Sequence, residues 1–119
     1  MSPLARILLQ RGDAVSGSDQ HLSAVTENLR AWGAIIYEGH RPENIDGADL
    51  VVTTAAARAD NPELLAAAAQ GIPVIKGAAL LGQLMVGKEA ICVAGTHGKT
   101  TTTAMIATVL TAAELDPTY

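Results

Sequence analysis

The chain has 119 residues and is mildly acidic, with 8 Lys+Arg against 12 Asp+Glu and a formal net charge of −4. No basic run interleaved with aromatics suits a nucleic-acid backbone, and no apolar stretch reaches the roughly 18 residues of a membrane span. A single cysteine, Cys92, excludes a disulfide framework and a cysteine-built zinc site; its apolar neighbours predict a buried, inert thiol. Hydrophobic residues make up 49%, yet Trp32, Tyr37 and Tyr119 are the only aromatics, so the core must be built from small and branched aliphatics. Gln10, Arg11 and Gly12 interrupt the apolar Ile7-Leu8-Leu9 too early for a signal peptide, and a cytoplasmic protein is expected.

Ser2-Pro3 has the form of a capped helix start, with Leu4, Ile7 and Leu8 on one face and Gly12 as the stop. Ala14-Val15-Ser16 reads as a strand with Gly17-Ser18-Asp19 as its exit loop, and Leu22, Val25, Leu29 and Trp32 mark a second helix closed by Gly33. Residues 34–38 form the next predicted strand, followed by the loop Gly39-His40-Arg41-Pro42 and a polar turn through Asp46-Gly47. The β-branched run Leu50 to Thr54 suits a strand buried on both faces, and Asn61-Pro62 caps a helix that Gly71 closes before the strand Val74-Ile75-Lys76. A helix on Leu80, Leu81, Leu84 and Met85 and a strand on Ile91-Cys92-Val93 complete the alternation. The pattern predicts an α/β fold: a doubly wound, Rossmann-like parallel sheet with helices on both faces. A boundary is expected near Gly87, giving a first domain over residues 1–87 and a second unit, strand, phosphate loop and helix, over residues 88–119.

The second unit carries the strongest chemical motif. Gly95-Thr96-His97-Gly98-Lys99-Thr100-Thr101 lies between an apolar run and a helix-forming run, where backbone amides can cradle phosphates, Lys99 adds a point charge, and the Thr100 hydroxyl can ligate magnesium. Val93 stands where the general pattern has a glycine, so Gly95 makes the turn in a shortened variant. The threonines following Thr100 are read equally as phosphate contacts or as first-turn capping residues, and His97 as a contact to nucleotide or metal or as a brace within the loop. In the first domain, Asp19 sits where a doubly wound fold reads a ribose, but Asp19 and Ser18 also suit N-caps for the helix near Leu22. His40, beyond a strand end, is on the edge where ligands bind, although a lone loop histidine is more often solvated.

The stretch Gly95 to Thr102 closely resembles the ATP-binding signature of the Mur ligases, the amide-forming enzymes of peptidoglycan synthesis. The histidine after Gly-Thr resembles the branch that adds L-alanine. Met1-Ser2-Pro3-Leu4-Ala5, Val15 to Asp19, Gly39-His40, Asp60-Asn61-Pro62-Glu63 and Gly71 to Val74 resemble that branch's N-terminal domain in the same order. The resemblance implies that ATP and Mg2+ serve as cofactors, with UDP-N-acetylmuramate and L-alanine as substrates joined through an acyl phosphate. It further implies nucleotide contacts from Gly95 to Thr101, a catalytic Lys99, and sugar-nucleotide contacts from Ser18, Asp19 and His40.

In that family a strand and a glycine-rich turn precede the Met-Ser-Pro segment, and the central domain continues well past the phosphate-loop helix. The expectation is therefore an N-terminal fragment, inactive alone and with an unpaired strand edge. A ligase that recycles peptides onto the same sugar nucleotide, and a non-catalytic nucleotide-binding module, are the alternatives.

Overall fold

The computed structural model describes residues 1–119, which form two compact units, Met1–Val86 and Gly87–Tyr119. The first opens with α1 (Ser2–Gln10), β1 (Ser16–Asp19), α2 (Ala24–Ala31) and β2 (Ile35–Glu38). A 3-10 turn (Pro42–Ile45), β3 (Val51–Thr53), α3 (Pro62–Gln70), β4 (Val74–Lys76) and α4 (Gly77–Leu84) follow. The strands pair in parallel, β1 with β2 and β3 with β4, each pair joined by a crossover helix. The α/β class is as expected, but the strands form two two-stranded sheets rather than one continuous sheet. With a single neighbour, β3 is only half-buried and not enclosed on both faces as its β-branched run suggests.

Pairing, more than side-chain character, sets where β1 lies. Ser16 stands opposite Ile35 and Asp19 opposite Glu38, so the strand comprises Ser16–Asp19 and not the Ala14-Val15-Ser16 run. The Ile35 N–H donates to the Val15 carbonyl and the Gly39 N–H to the Asp19 carbonyl, at 3.0 and 2.8 Å. Gly17-Ser18-Asp19 is therefore ladder, not exit loop.

Neither Ser18 nor Asp19 caps α2. Ser23 does, in a reciprocal box with Thr26: the Ser23 N–H donates to Thr26 Oγ1 at 2.8 Å, and the Thr26 hydroxyl donates to the Ser23 carbonyl at 2.8 Å. The return bond, from the Thr26 N–H to Ser23 Oγ, is long at 3.5 Å. Thr26 is buried, so Thr26→Val should destabilise the unit by about 1–3 kcal/mol, more than Ser23→Ala. Equal losses in denaturant titrations would contradict this division of the box. At α1 the cap position is Met1, and Ser2 is already helical and makes no capping bond. Asn61 caps α3 as its Asn-Pro signature indicates, accepting from the Glu63 N–H at 2.9 Å.

The core of this unit is Leu29, Ala34, Ile45, Ala67 and Leu80, small and aliphatic as the composition requires. Helix α1 packs on α2 and α4, while α3 packs on the 3-10 turn and β4. Trp32 is half-exposed, with the Arg6 guanidinium 5.0 Å from its ring centroid.

The second unit contains one helix, α5 (Lys99–Ala112), preceded by the glycine loop. Ile91-Cys92-Val93 is not a strand, because no ladder partner pairs with it, and Cys92 is exposed rather than buried.

Candidate functional site

A cleft of about 400 Å3 opens in the first unit where its strands end. Gln20 follows β1, His40 lies just beyond β2, Thr54 follows β3, and Asn61 and Pro62 come from the start of α3. Strand carboxyl ends are where open α/β sheets bind ligands, since the loops there are free to carry polar groups. Arg58 and Asp60 complete the polar lining. Arg58 donates two 3.0 Å hydrogen bonds to the Asp60 carboxylate, and these hold its pKa below the usual value.

Parallel pairing brings Ser18 and His40 together from opposite sides of a 22-residue separation: Ser18 Oγ lies 2.9 Å from His40 Nδ1. Ser18 also donates to Glu63 Oε2 at 2.8 Å, and His40 Nδ1 is 3.3 Å from the same oxygen. Asn44 Nδ2 donates to Glu63 Oε1 at 2.7 Å and to the Gly39 carbonyl at 3.0 Å. His40 is thus not a solvated loop histidine but part of a half-buried network that engages its Nδ1. Asp19 stays outside it; its carboxylate accepts from the His21 N–H at 3.2 Å.

Sequence reading missed Glu63 and Asn44. The signal for Glu63 was present in Asn61-Pro62-Glu63, because a capped start places the second helical residue at the same end of the fold as the strand termini. Asn44 carried no comparable signal within its polar turn.

The glycine-rich loop expected to bind phosphate lies in the second unit. Gly98 is the N-cap of α5 with φ +78°, a left-handed conformation suited to glycine, and it offers no side-chain acceptor to the helix amides. The first helical bond runs from the Thr102 N–H to the Gly98 carbonyl at 2.9 Å, so the amides of the first turn remain available at the positive end of the helix dipole. Lys99 Nζ folds back to donate to the Gly95 carbonyl at 2.7 Å and, more weakly, to that of Thr96 at 3.4 Å. Gly95, Thr96, His97, Thr100 and Thr101 are exposed around it. Lys99, not His97, makes the loop's internal side-chain bonds. The resulting array of amide, ammonium and hydroxyl groups suits an anion and its counter-cation.

A family model described as "Mur ligase family, catalytic domain" matches residues 1–89. The chain belongs to the Mur ligase family. Among curated Mur ligases, the UDP-N-acetylmuramate–L-alanine ligase of Burkholderia cenocepacia is 53% identical over all 119 residues, which make up 26% of that protein. The corresponding ligase of Laribacter hongkongensis is 52% identical over the same span. The chain spans about a quarter of the length of these relatives. Solved Mur ligases show the same fold. A murein peptide ligase from Psychrobacter arcticus superposes with a TM-score of 0.89 at 32% identity, covering 96% of this chain and 24% of that one. UDP-N-acetylmuramate–alanine ligase from Thermotoga maritima gives 0.88 at 37% identity, covering 93% and 26%.

Proposed function

We propose that this chain supplies the sugar-nucleotide cleft and the phosphate loop of a cytoplasmic, ATP-dependent ligase that joins L-alanine to UDP-N-acetylmuramate in peptidoglycan synthesis. The observation that carries the reading is 53% identity to an L-alanine ligase over the whole chain. The peptide-recycling reading draws on the similarity to the murein peptide ligase, which is as close in fold but only 32% identical.

The residues present fit a nucleoside triphosphate and its magnesium ion, since the loop presents amide donors, an ammonium group and a threonine hydroxyl, and the first turn of α5 carries no acidic residue to repel phosphate. When bound, ATP supplies the phosphoryl group that activates a carboxylate for amide formation. The amides from Gly95 to Thr101 would hold the phosphates, Lys99 would neutralise the charge that builds as phosphoryl transfer proceeds, and Thr100 would ligate the magnesium. In the first unit, His40 would orient the sugar nucleotide at the cleft it lines, supported by Ser18 through their 2.9 Å bond and with Asp19 as a further contact from the end of β1.

A hybrid ligase, in which these residues replace the aligned stretch of the Burkholderia relative, separates the two roles. There, His40→Ala should raise the KM for UDP-N-acetylmuramate about tenfold and leave that for ATP near its starting value. A change confined to the KM for ATP would remove the cleft from sugar-nucleotide binding.

A further inference from the structure

The hydrogen bonds around His40 determine which ring nitrogen holds its proton. A carboxylate only accepts, so the 2.8 Å contact between Ser18 Oγ and Glu63 Oε2 consumes the single Ser18 hydroxyl proton. Ser18 Oγ must then accept from its other partner, His40 Nδ1, 2.9 Å away. Glu63 Oε2, 3.3 Å from the same nitrogen, is a second acceptor for that proton. With Nδ1 occupied inside the network, Nε2 is the nitrogen left for the cleft that His40 lines. We infer that Glu63 is a positioning residue: whenever the His40 ring is neutral, Glu63 holds its proton on Nδ1 through Ser18, so that Nε2 meets a ligand's hydroxyl or N–H group as a hydrogen-bond acceptor. The ligand's identity rests on the sugar-nucleotide role proposed for this cleft; the position of the proton does not.

The network also dictates what a one-atom change would do. Asn44 is pinned by the Gly39 carbonyl and directs its remaining amide proton at Glu63 Oε1. In Glu63→Gln the side-chain oxygen must therefore stay against Asn44, which places the new NH2 group against Ser18. Ser18 Oγ then accepts from residue 63 and turns its own proton to His40 Nδ1, forcing the imidazole proton to Nε2. The acceptor offered to the cleft becomes a donor. Ser18→Ala acts differently, because Glu63 remains beside Nδ1 as an acceptor.

Histidine ring 15N spectra of the chain at alkaline pH, where the imidazole is neutral, read this directly; His40 is assigned by its loss in His40→Asn. A protonated Nδ1 in the unchanged chain and in Ser18→Ala, with transfer to Nε2 in Glu63→Gln, is the expected pattern. A protonated Nε2 in the unchanged chain, or no transfer in Glu63→Gln, overturns the inference. Addition of UDP should shift the His40 Nε2 resonance; correct proton positions without that shift would overturn the sugar-nucleotide reading of the cleft while leaving Glu63 its positioning role. In the hybrid ligase, Glu63→Gln should raise the KM for UDP-N-acetylmuramate about 3- to 10-fold with the KM for ATP unchanged, which also shows that the variant folds. An unchanged KM for the sugar nucleotide would count against Nε2 as its acceptor.

Discussion

Lys99→Ala in the hybrid ligase should lower turnover by about 100- to 1,000-fold, the usual consequence of removing a donor aimed at developing transition-state charge. Two losses combine in this variant. The ammonium group is the only cationic side chain in the loop, and its bonds to the Gly95 and Thr96 carbonyls also hold the loop's curvature. Lys99→Arg separates these effects, since a guanidinium keeps the charge but not the compact geometry of the ammonium. Single-turnover phosphate release is the appropriate measurement. A Lys99→Ala enzyme retaining most of its turnover would remove Lys99 from the chemistry.

The largest effect on stability is expected in the first unit, from Ala67→Asp. Ala67 is the one residue with no exposure at all, and it sits on the helix that Asn61 caps and whose first turn carries Glu63. An unpaired carboxylate there should cost on the order of 3–5 kcal/mol, comparable with the whole stability of a small domain. Because α3 packs on the 3-10 turn that contains Asn44, the loss should reach the cleft as well as the melting temperature. Thermal denaturation of the chain followed by circular dichroism provides the test; a midpoint within a few degrees of the unchanged chain would show that this face of α3 is not the core.

How far the sequence was legible depended on whether the deciding interaction was local. The cap of α3 lies within three residues, Asn61-Pro62-Glu63, and could be read directly. The Gly98-Lys99 turn into α5 is equally local. The span of β1 was not, since it is set by pairing with residues 35–38 and Ser16 to Asp19 have little strand character of their own. Ser23 was overlooked as the cap of α2 because Ser18 and Asp19 offered the same chemistry a few residues earlier; the ladder had already claimed their backbone. The apolar run around Cys92 shows the converse, for strand-like side chains without a pairing partner make no strand. At the cleft, Ser18 and His40 were visible as separate candidates, whereas Glu63, which bonds to Ser18 across 45 positions, emerged only once the two βαβ units placed the strand ends and α3 together.

The most direct test of the proposed ligase role is the substrate dependence of phosphate release by the hybrid enzyme with UDP-N-acetylmuramate and ATP present. Release that requires L-alanine, and that a peptide cannot replace, is the predicted result. Release that requires the peptide instead, or that proceeds without either acceptor, would contradict it.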